Sequence, residues 1–275
     1  MPHPVSLIIS FYNKIDLLKF IFAALERQTY RTFEVVVADD GSKPEIVQAI
    51  HELQNNYFFS IKHVWHEDNG WQKNKILNKA VVAAEGEYLV FIDGDCIPHP
   101  YFMQEHMENR AVNQVISGRR VMLTQYVSSQ LTVEKIKNGY LDSAAAFPLL
   151  IESVFNKKEV HIENMFRVRN KIIRRLFVKD KIKGFWGCNF SAWKNDILKV
   201  NGFDERFVYP GTGEDGDIED RLRRIGVLPI SKKHLVTQYH FYHVQFNTMH
   251  EPNRLLREEN NKNMVIATPY GINKF

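Results

Sequence analysis

Two acidic clusters, Asp39-Asp40-Gly41-Ser42 and Asp93-Gly94-Asp95, carry the side chains best suited to chemistry. In Asp93-Gly94-Asp95 one residue separates two carboxylates, so both can face one hard cation from the same turn, with the small Gly94 letting the backbone bend between them. Mg²⁺ or Mn²⁺ is the natural guest of such an oxygen site. Protein carboxylates rarely complete that shell and phosphates commonly supply the missing oxygens, so the pair points to a diphosphate substrate. The same residues also occur as a plain acidic turn after a strand, and only their position in the fold separates the two readings.

The elements around these clusters alternate. Val5–Ser10 is an apolar, strand-like run, Leu17–Gln28 has helical periodicity, and Phe33–Ala38 is a β-branched run that ends in the first cluster. A helix over Pro44–Asn55, a strand over Ile61–Trp65, a helix over Lys73–Glu85 and a strand over Tyr88–Ile92 follow, the last ending in the second cluster. Strand, helix, strand is the βαβ signature of a parallel sheet. Both clusters then lie at the carboxyl ends of parallel strands, the edge where open α/β sheets bind ligands. No Gly-x-Gly-x-x-Gly follows the first strand and no Walker-type Gly-Lys-Ser/Thr occurs, which counts against dinucleotide and P-loop binding.

The chain has 275 residues, 44% of them hydrophobic, 25% charged and 12% aromatic, enough to bury one or two cores. Its two cysteines, Cys96 and Cys188, have neither metal-ligand nor disulfide-framework spacing, which excludes a stapled secreted fold and suits a reducing compartment. Apolar runs such as Leu89-Val90-Phe91-Ile92 fall far short of the roughly 20 residues that span a bilayer. Met1-Pro2-His3-Pro4 has no signal-peptide pattern, so a cytoplasmic location is expected.

Charge is uneven. From Phe155 to Gly184 ten basic residues stand against three acids, a local +7, so the rest of this +4 chain sums to −3. Ile162, Met165, Phe166, Ile172, Ile173, Leu176 and Phe177 recur there mostly at three- and four-residue steps, which predicts a basic amphipathic helix. Such a helix either lies on an anionic membrane or packs its stripe on its own domain. No nucleic-acid-binding motif accompanies the charge.

The wording of three segments resembles a family. Ser6-Leu7-Ile8-Ile9-Ser10-Phe11-Tyr12-Asn13, Val37-Ala38-Asp39-Asp40-Gly41-Ser42 and the run from Ala84 to Asp95 resemble, in order and spacing, the family 2 glycosyltransferases of GT-A fold. Further on, Asn201-Gly202-Phe203-Asp204-Glu205 and Gly213-Glu214-Asp215-Gly216-Asp217-Ile218 resemble the C-terminal segment shared by β-1,4-galactosyltransferases and bacterial chondroitin polymerases, to which Lys75-Ile76-Leu77-Asn78 and Asp95-Cys96-Ile97-Pro98 are also similar. The resemblance covers Pro4–Val121 and Phe185–Asn263. It implies a Rossmann-like, mixed but mainly parallel α/β sheet flanked by helices. One compact domain would comprise a nucleotide-sugar-binding half (1–122), a basic helical insert (123–184) and an acceptor-binding, catalytic-base half (185–275).

Matching positions imply roles. Asp40 would accept from the uracil imide of a UDP-sugar, in a site also lined by Ser10, Tyr12 and Gly94. Asp93 would meet the ribose or a metal-bound water, and Asp95 would ligate the metal with His243 and, as in some members, His240. Histidine ligands would favour Mn²⁺ over Mg²⁺. Lys73 stands where an arginine touches the diphosphate, and Trp71 where an aromatic lines the donor pocket. Asp215, after Glu214, stands where the group has its catalytic base. Trp186, Tyr209 and Asp217 are the acceptor-side candidates. One departure is plain: Tyr209-Pro210-Gly211-Thr212-Gly213 replaces a Gly-Trp-Gly-Gly run, so the tryptophan that would contact donor and acceptor is missing.

Each assignment has a structural counterpart. Glu214 to Asp217 could simply cap a helix N-terminus. His240 and His243, among Tyr239, Phe241 and Tyr242, could form an aromatic core edge, and Trp71 and Trp186 could be ordinary packing. Transfer chemistry nevertheless needs these types. Charge developing on a leaving phosphate is neutralised by a cation, and a weakly nucleophilic hydroxyl needs a carboxylate to take its proton. Attack from the face opposite UDP inverts the anomeric centre. The expected function is therefore an inverting, metal-dependent hexosyltransferase. It would move a hexose or N-acetylhexosamine from a UDP-sugar to a glycan or lipid-linked oligosaccharide, in bacterial surface polysaccharide synthesis, peripheral to the inner membrane face. A sugar-phosphate nucleotidyltransferase and a noncatalytic nucleotide- or saccharide-binding module are the alternatives.

Overall fold

The structure, a computed structural model, describes residues 4–155, 160–211, 213–244 and 250–274. Lys157, Lys158 and Glu159 of the basic segment, and Thr212 of the Tyr209–Gly213 run, lie outside the described residues. The strands are β1 (Val5–Phe11), β2 (Glu34–Asp39), β3 (Ile61–Trp65), β4 (Tyr88–Asp93), β5 (Cys96–Pro98), β6 (Gln114–Ser117), β7 (Arg119–Met122), β8 (Lys181–Ile182), β9 (Asn189–Trp193), β10 (Leu228–Ser231) and β11 (Thr237–His240). The helices are α1 (Ile15–Leu25), α2 (Pro44–Leu53), α3 (Lys73–Ala83), α4 (Phe102–Asn109), α5 (Gln125–Ser129), α6 (Val133–Lys137), α7 (Ala146–Phe155), α8 (Lys171–Ile173), α9 (Lys194–Lys199), α10 (Glu214–Arg224) and α11 (Glu251–Lys262). Among the described residues no helix is long and apolar enough to cross a membrane.

Eight strands form one sheet in the order β3-β2-β1-β4-β9-β6-β10-β8. β3, β2, β1 and β4 run parallel, β9 lies antiparallel between β4 and β6, and β8 is antiparallel to β10. The strands of the first and last sequence segments thus interleave in one sheet. Alternate residues feed two cores: Leu7, Val35, Val37 and Val90 face one, Ile8, Val36, Leu89 and Phe91 the other. Burial on both faces is why these strands read as continuous apolar runs rather than alternating ones.

A second, small sheet has the order β5-β11-β7. β11 pairs antiparallel with β5, setting His240 opposite Cys96 and so bringing it beside the end of β4.

The basic amphipathic helix expected over 155–184 is not one helix. Ile162–Met165 form a 3₁₀ turn, and a short α8 widens into a π turn over Arg174–Val178 before β8. The stripe divides. Met165 and Ile162 pack on the core, whereas Phe166, Ile172, Ile173, Leu176 and Phe177 are exposed. Arg174, buried, holds the turn by donating to the carbonyls of Val168 and Lys233. That tether replaces the continuous packing a longer helix would need.

Candidate active site

The site is the carboxyl edge of the sheet between β2 and β4. Parallel register sets Phe11 beside Asp39 and Ser10 beside Asp93, so the two acidic clusters flank the end of β1. β1 is also where the strand order reverses, the position at which open α/β sheets form a ligand crevice.

The first cluster divides its work. Asp39 builds the turn, its Oδ1 accepting the Ser42 N–H at 2.9 Å and its Oδ2 meeting His63 Nε2 at 2.8 Å. Asp40 faces the crevice, with Oδ1 2.7 Å from His66 Nε2 and Oδ2 accepting the Gln72 N–H at 2.9 Å. Burial raises the Asp40 pKa above the ordinary carboxylate value, against the Gln72 N–H and His66. Tyr12 forms the rim, donating to Asp68 Oδ2 at 2.9 Å. Half-buried Trp71 immediately precedes Gln72, and half-buried Ser10 is the penultimate residue of β1.

At the end of β4, Asp93 Oδ1 lies 2.9 Å from Lys73 Nζ. Lys73 is the first residue of α3, whose first turn holds no acid. A cation there opposes the helix macrodipole, so this end of α3 is electropositive at the expense of helix stability. Burial disfavours the Lys73 charge, but Asp93, Asp215 and Glu214 outweigh it and hold the ammonium firmly protonated. Gly94 is required for close approach: a Cβ there would stand 2.7 Å from the Ser10 carbonyl oxygen. Gly94 lies in the turn between β4 and β5, so its small size serves that approach as well as the bend.

Asp95 turns away from Lys73 toward the small sheet. Its Oδ2 is 3.6 Å from His240 Nε2 and 3.5 Å from His243 Nε2, and ligand atoms of all three residues lie within 4.8 Å of one another. Among the described residues the buried His240 Nδ1 has no hydrogen-bond partner, while His243 Nδ1 lies 3.0 Å from the Val244 carbonyl, to which it can donate, which would leave Nε2 as the unprotonated nitrogen free to bind an ion. One carboxylate and two imidazoles fit a divalent transition-metal ion, Mn²⁺ better than Mg²⁺.

The third contribution comes from the start of α10. Asp215 Oδ2 accepts the Gly187 N–H at 2.7 Å. Burial raises the Asp215 pKa, Asp93 adds to the rise, and Lys73 and the Gly187 N–H oppose it. Burial and the charge of Asp215 push Glu214 up to about 8, and among the described residues its buried Oε2 has no hydrogen-bond partner. Lys73 thus ties the acids of β4 to those of α10 through one positive charge.

Asp217 is not on the acceptor side. It is 2% exposed, pairs with Arg221 at 2.8 Å and accepts from Asn260 at 2.7 Å, while Arg221 also donates to the Val200 and Gly202 carbonyls. It fastens α10 to the loop after α9. Tyr209 stacks half-exposed on His250 with ring centroids 5.2 Å apart, and Trp186 stands half-exposed with the Arg119 and Arg120 guanidinium carbons 5.3 and 5.1 Å from its ring centroid.

His66, Gln72, Gly187 and Arg120 were not singled out by the sequence. His66 follows β3, and pairing β2 and β3 in parallel puts their ends side by side, so topology held a signal for it. Gly187 contributes a backbone N–H, and Arg120 lies close enough to Asp93 and Asp95 to feel their charge through strand pairing distant in the chain, neither of which residue type reveals.

Residues 6–195 match the family described as glycosyl transferase family 2, and residues 168–244 that described as the N-terminal domain of galactosyltransferase. Over 234 residues the chain is 29% identical to a chondroitin synthase of Escherichia coli, covering 81% of this chain and 32% of that protein. Over 233 residues it is 26% identical to a hyaluronan synthase of Pasteurella multocida, covering 81% and 23%. The chain spans a third or less of the length of these two relatives. Among solved structures, the mannosyltransferase PcManGT of Pyrobaculum calidifontis in complex with GDP-Man and Mn²⁺ superimposes with TM-score 0.56 at 17% identity, covering 88% of this chain and 59% of that one. S. aureus TarS in complex with UDP-GlcNAc gives 0.54 at 16%, covering 89% and 60%. These likenesses are of fold, the GT-A arrangement.

Proposed function

The chain belongs to glycosyl transferase family 2, and from that premise we propose that it is an inverting, metal-dependent hexosyltransferase moving a hexose or N-acetylhexosamine from a UDP-sugar to a glycan or lipid-linked oligosaccharide hydroxyl. The observation that carries this reading is the convergence on Lys73 of Asp93, Glu214 and Asp215, acids from two sequence-distant elements at one sheet edge. The synthase relatives support a role in surface polysaccharide synthesis, and a cytoplasmic site of action, where sugar nucleotides are made, goes with it.

In this reading Asp40, positioned by His66 and Gln72, accepts from the uracil imide, and Tyr12, Ser10 and Trp71 line the nucleoside. Lys73, at the electropositive start of α3, meets the diphosphate. Asp95, His240 and His243 would hold Mn²⁺, or less favourably Mg²⁺, and bound there the ion supplies Lewis-acid neutralisation of the leaving phosphate. Asp215 takes the acceptor proton, burial having raised its pKa above the ordinary carboxylate value and so made it a stronger base. Its second oxygen stays on the Gly187 N–H, which keeps the carboxylate aimed. Glu214, holding its proton at neutral pH, serves as a hydrogen-bond donor beside it. Tyr209 and Trp186, both half-exposed, offer ring faces to the acceptor.

The test is product formation. Incubated with a panel of UDP-sugars, Mn²⁺ and oligosaccharide acceptors, the wild-type chain should yield a lengthened acceptor by mass spectrometry. Asp215→Asn should lose about 10²-fold or more in rate while still binding UDP by calorimetry. Full activity in Asp215→Asn rejects the base, and UDP binding indifferent to EDTA and to Asp95→Ala rejects the metal site.

A further inference from the structure

The insert exposes apolar side chains in two places. On α7, Phe147, Leu150, Ile151 and Val154 follow the i, i+3, i+4, i+7 spacing of one helix face and all are exposed, Phe147 at 70%, while Leu149 points into the core. This helix has no cation, and its one acid, Glu152, is tied down by Thr124 Oγ1 at 2.8 Å. On α8 and the turn after it, Ile172, Ile173, Leu176 and Phe177 are exposed, Phe177 at 80%. A monomer rarely leaves so many large side chains in water within one insert unless something covers them.

The charges around the second group say what. Lys171, Arg175, Lys179, Lys181 and Lys183 are exposed, and among the described residues none of the five has an ion-pair partner. The one acid between residues 171 and 183, Asp180, is spent on Arg174 and Lys232. A second copy of the chain would meet this surface with the same surface, setting five unpaired cations against five. An anionic lipid surface instead supplies an apolar layer for Phe177 and Leu176 and, just above it, phosphates for lysines and arginines whose aliphatic stems lie along the boundary.

We propose that the 123–184 insert is a membrane-docking face, in which the α7 stripe and Ile172–Phe177 enter the headgroup boundary of an anionic bilayer and the five cations take lipid phosphates. The face lies outside the catalytic residues, so this assignment stands or falls independently of the transferase reading.

Flotation with vesicles of phosphatidylcholine alone, or mixed with phosphatidylglycerol, tests it on the intact chain. The protein should float with the mixed vesicles at low salt and much less with neutral ones. Leu176→Ser with Phe177→Ser should weaken binding at least about tenfold. Lys179→Glu with Lys181→Glu should weaken it by about fivefold or more per residue. Phe147→Ser with Ile151→Ser should weaken it without changing lipid preference. All these side chains are exposed, so circular dichroism and melting temperature should match wild type. Failure to float with phosphatidylglycerol vesicles at low salt overturns the proposal. So does equal binding to both vesicle types that survives the charge reversals, or a dimer in sedimentation that Leu176→Ser with Phe177→Ser dissolves.

Discussion

Glu214 and Asp215 are adjacent acids whose environments differ because their partners differ. Asp215 has the Gly187 N–H and shares Lys73, whereas Glu214 Oε2 has no hydrogen-bond partner among the described residues and its carboxyl is pushed up to about 8. For an acid raised from its ordinary 4.5 to about 8, the stabilisation is complete below 4.5 and is lost as pH rises toward 8, because only the unfolded chain then releases its proton. A full proton difference is worth about 1.4 kcal/mol per pH unit. Glu214→Gln should therefore lose less melting temperature than wild type between about pH 5 and about pH 8, and parallel profiles would show that Glu214 ionises normally. Gly187→Ala tests the neighbour. A Cβ there would overlap the Asp215 carboxylate, so the proposed base must move, and kcat/KM should fall about 10²-fold with UDP affinity retained. A wild-type rate in Gly187→Ala would sever Gly187 from the positioning of the base. Asp215 was singled out by its place in a motif, and the fold sets it against the Gly187 N–H. Asp217 was misread from the same motif because the helical Asp217–Arg221 spacing, an i,i+4 pair pointing inward, was not weighed against it.

At the scale of elements, β11 brings together what the sequence separates. His240 ends this strand, and antiparallel pairing with β5 carries it and His243 to Asp95, more than a hundred residues earlier in the chain. His243 is the more exposed of the pair and hydrogen-bonds to Val244 next to it, so His243→Ala would delete a proposed ligand without opening the core. Mn²⁺ affinity should fall at least about tenfold by calorimetry with the melting temperature of the metal-free chain unchanged; unaltered affinity would remove His243 from the ligand set. The first four strands were readable because each is a short apolar run closed by turn residues, and their observed bounds differ from expectation by one residue at most. β9 between β4 and β6 was not, since antiparallel pairing across about a hundred residues leaves no local mark. The 155–184 segment failed differently. Its helical period is real over 171–178, but buried Arg174 and a positive φ at Lys179 end the helix, and no apolar count records either.

For the molecule as a whole, the site is a junction between parts of the chain that share a sheet but not a neighbourhood in sequence. Asp40 and Lys73 come from the first segment, Asp215 from the last, and the ligand cluster joins the end of β4 in the large sheet to β11 in the small one. A ligand that touches several of these parts binds the folded chain and not the unfolded one, so it raises stability by mass action. At a free concentration about 100 times its dissociation constant the gain is about 2.7 kcal/mol, which for a chain of this size is a melting shift of about 5 °C. If Asp95, His240 and His243 hold an ion that also touches the diphosphate, UDP and Mn²⁺ must help each other bind, since coupling is reciprocal. Together they should then raise the melting temperature by more than the sum of their separate shifts. EDTA should return the UDP shift to its metal-free size, and Asp95→Ala should show additive shifts only. Additive shifts in the wild type would mean that metal and nucleotide occupy independent sites, and the diphosphate would have to be assigned to Lys73 alone.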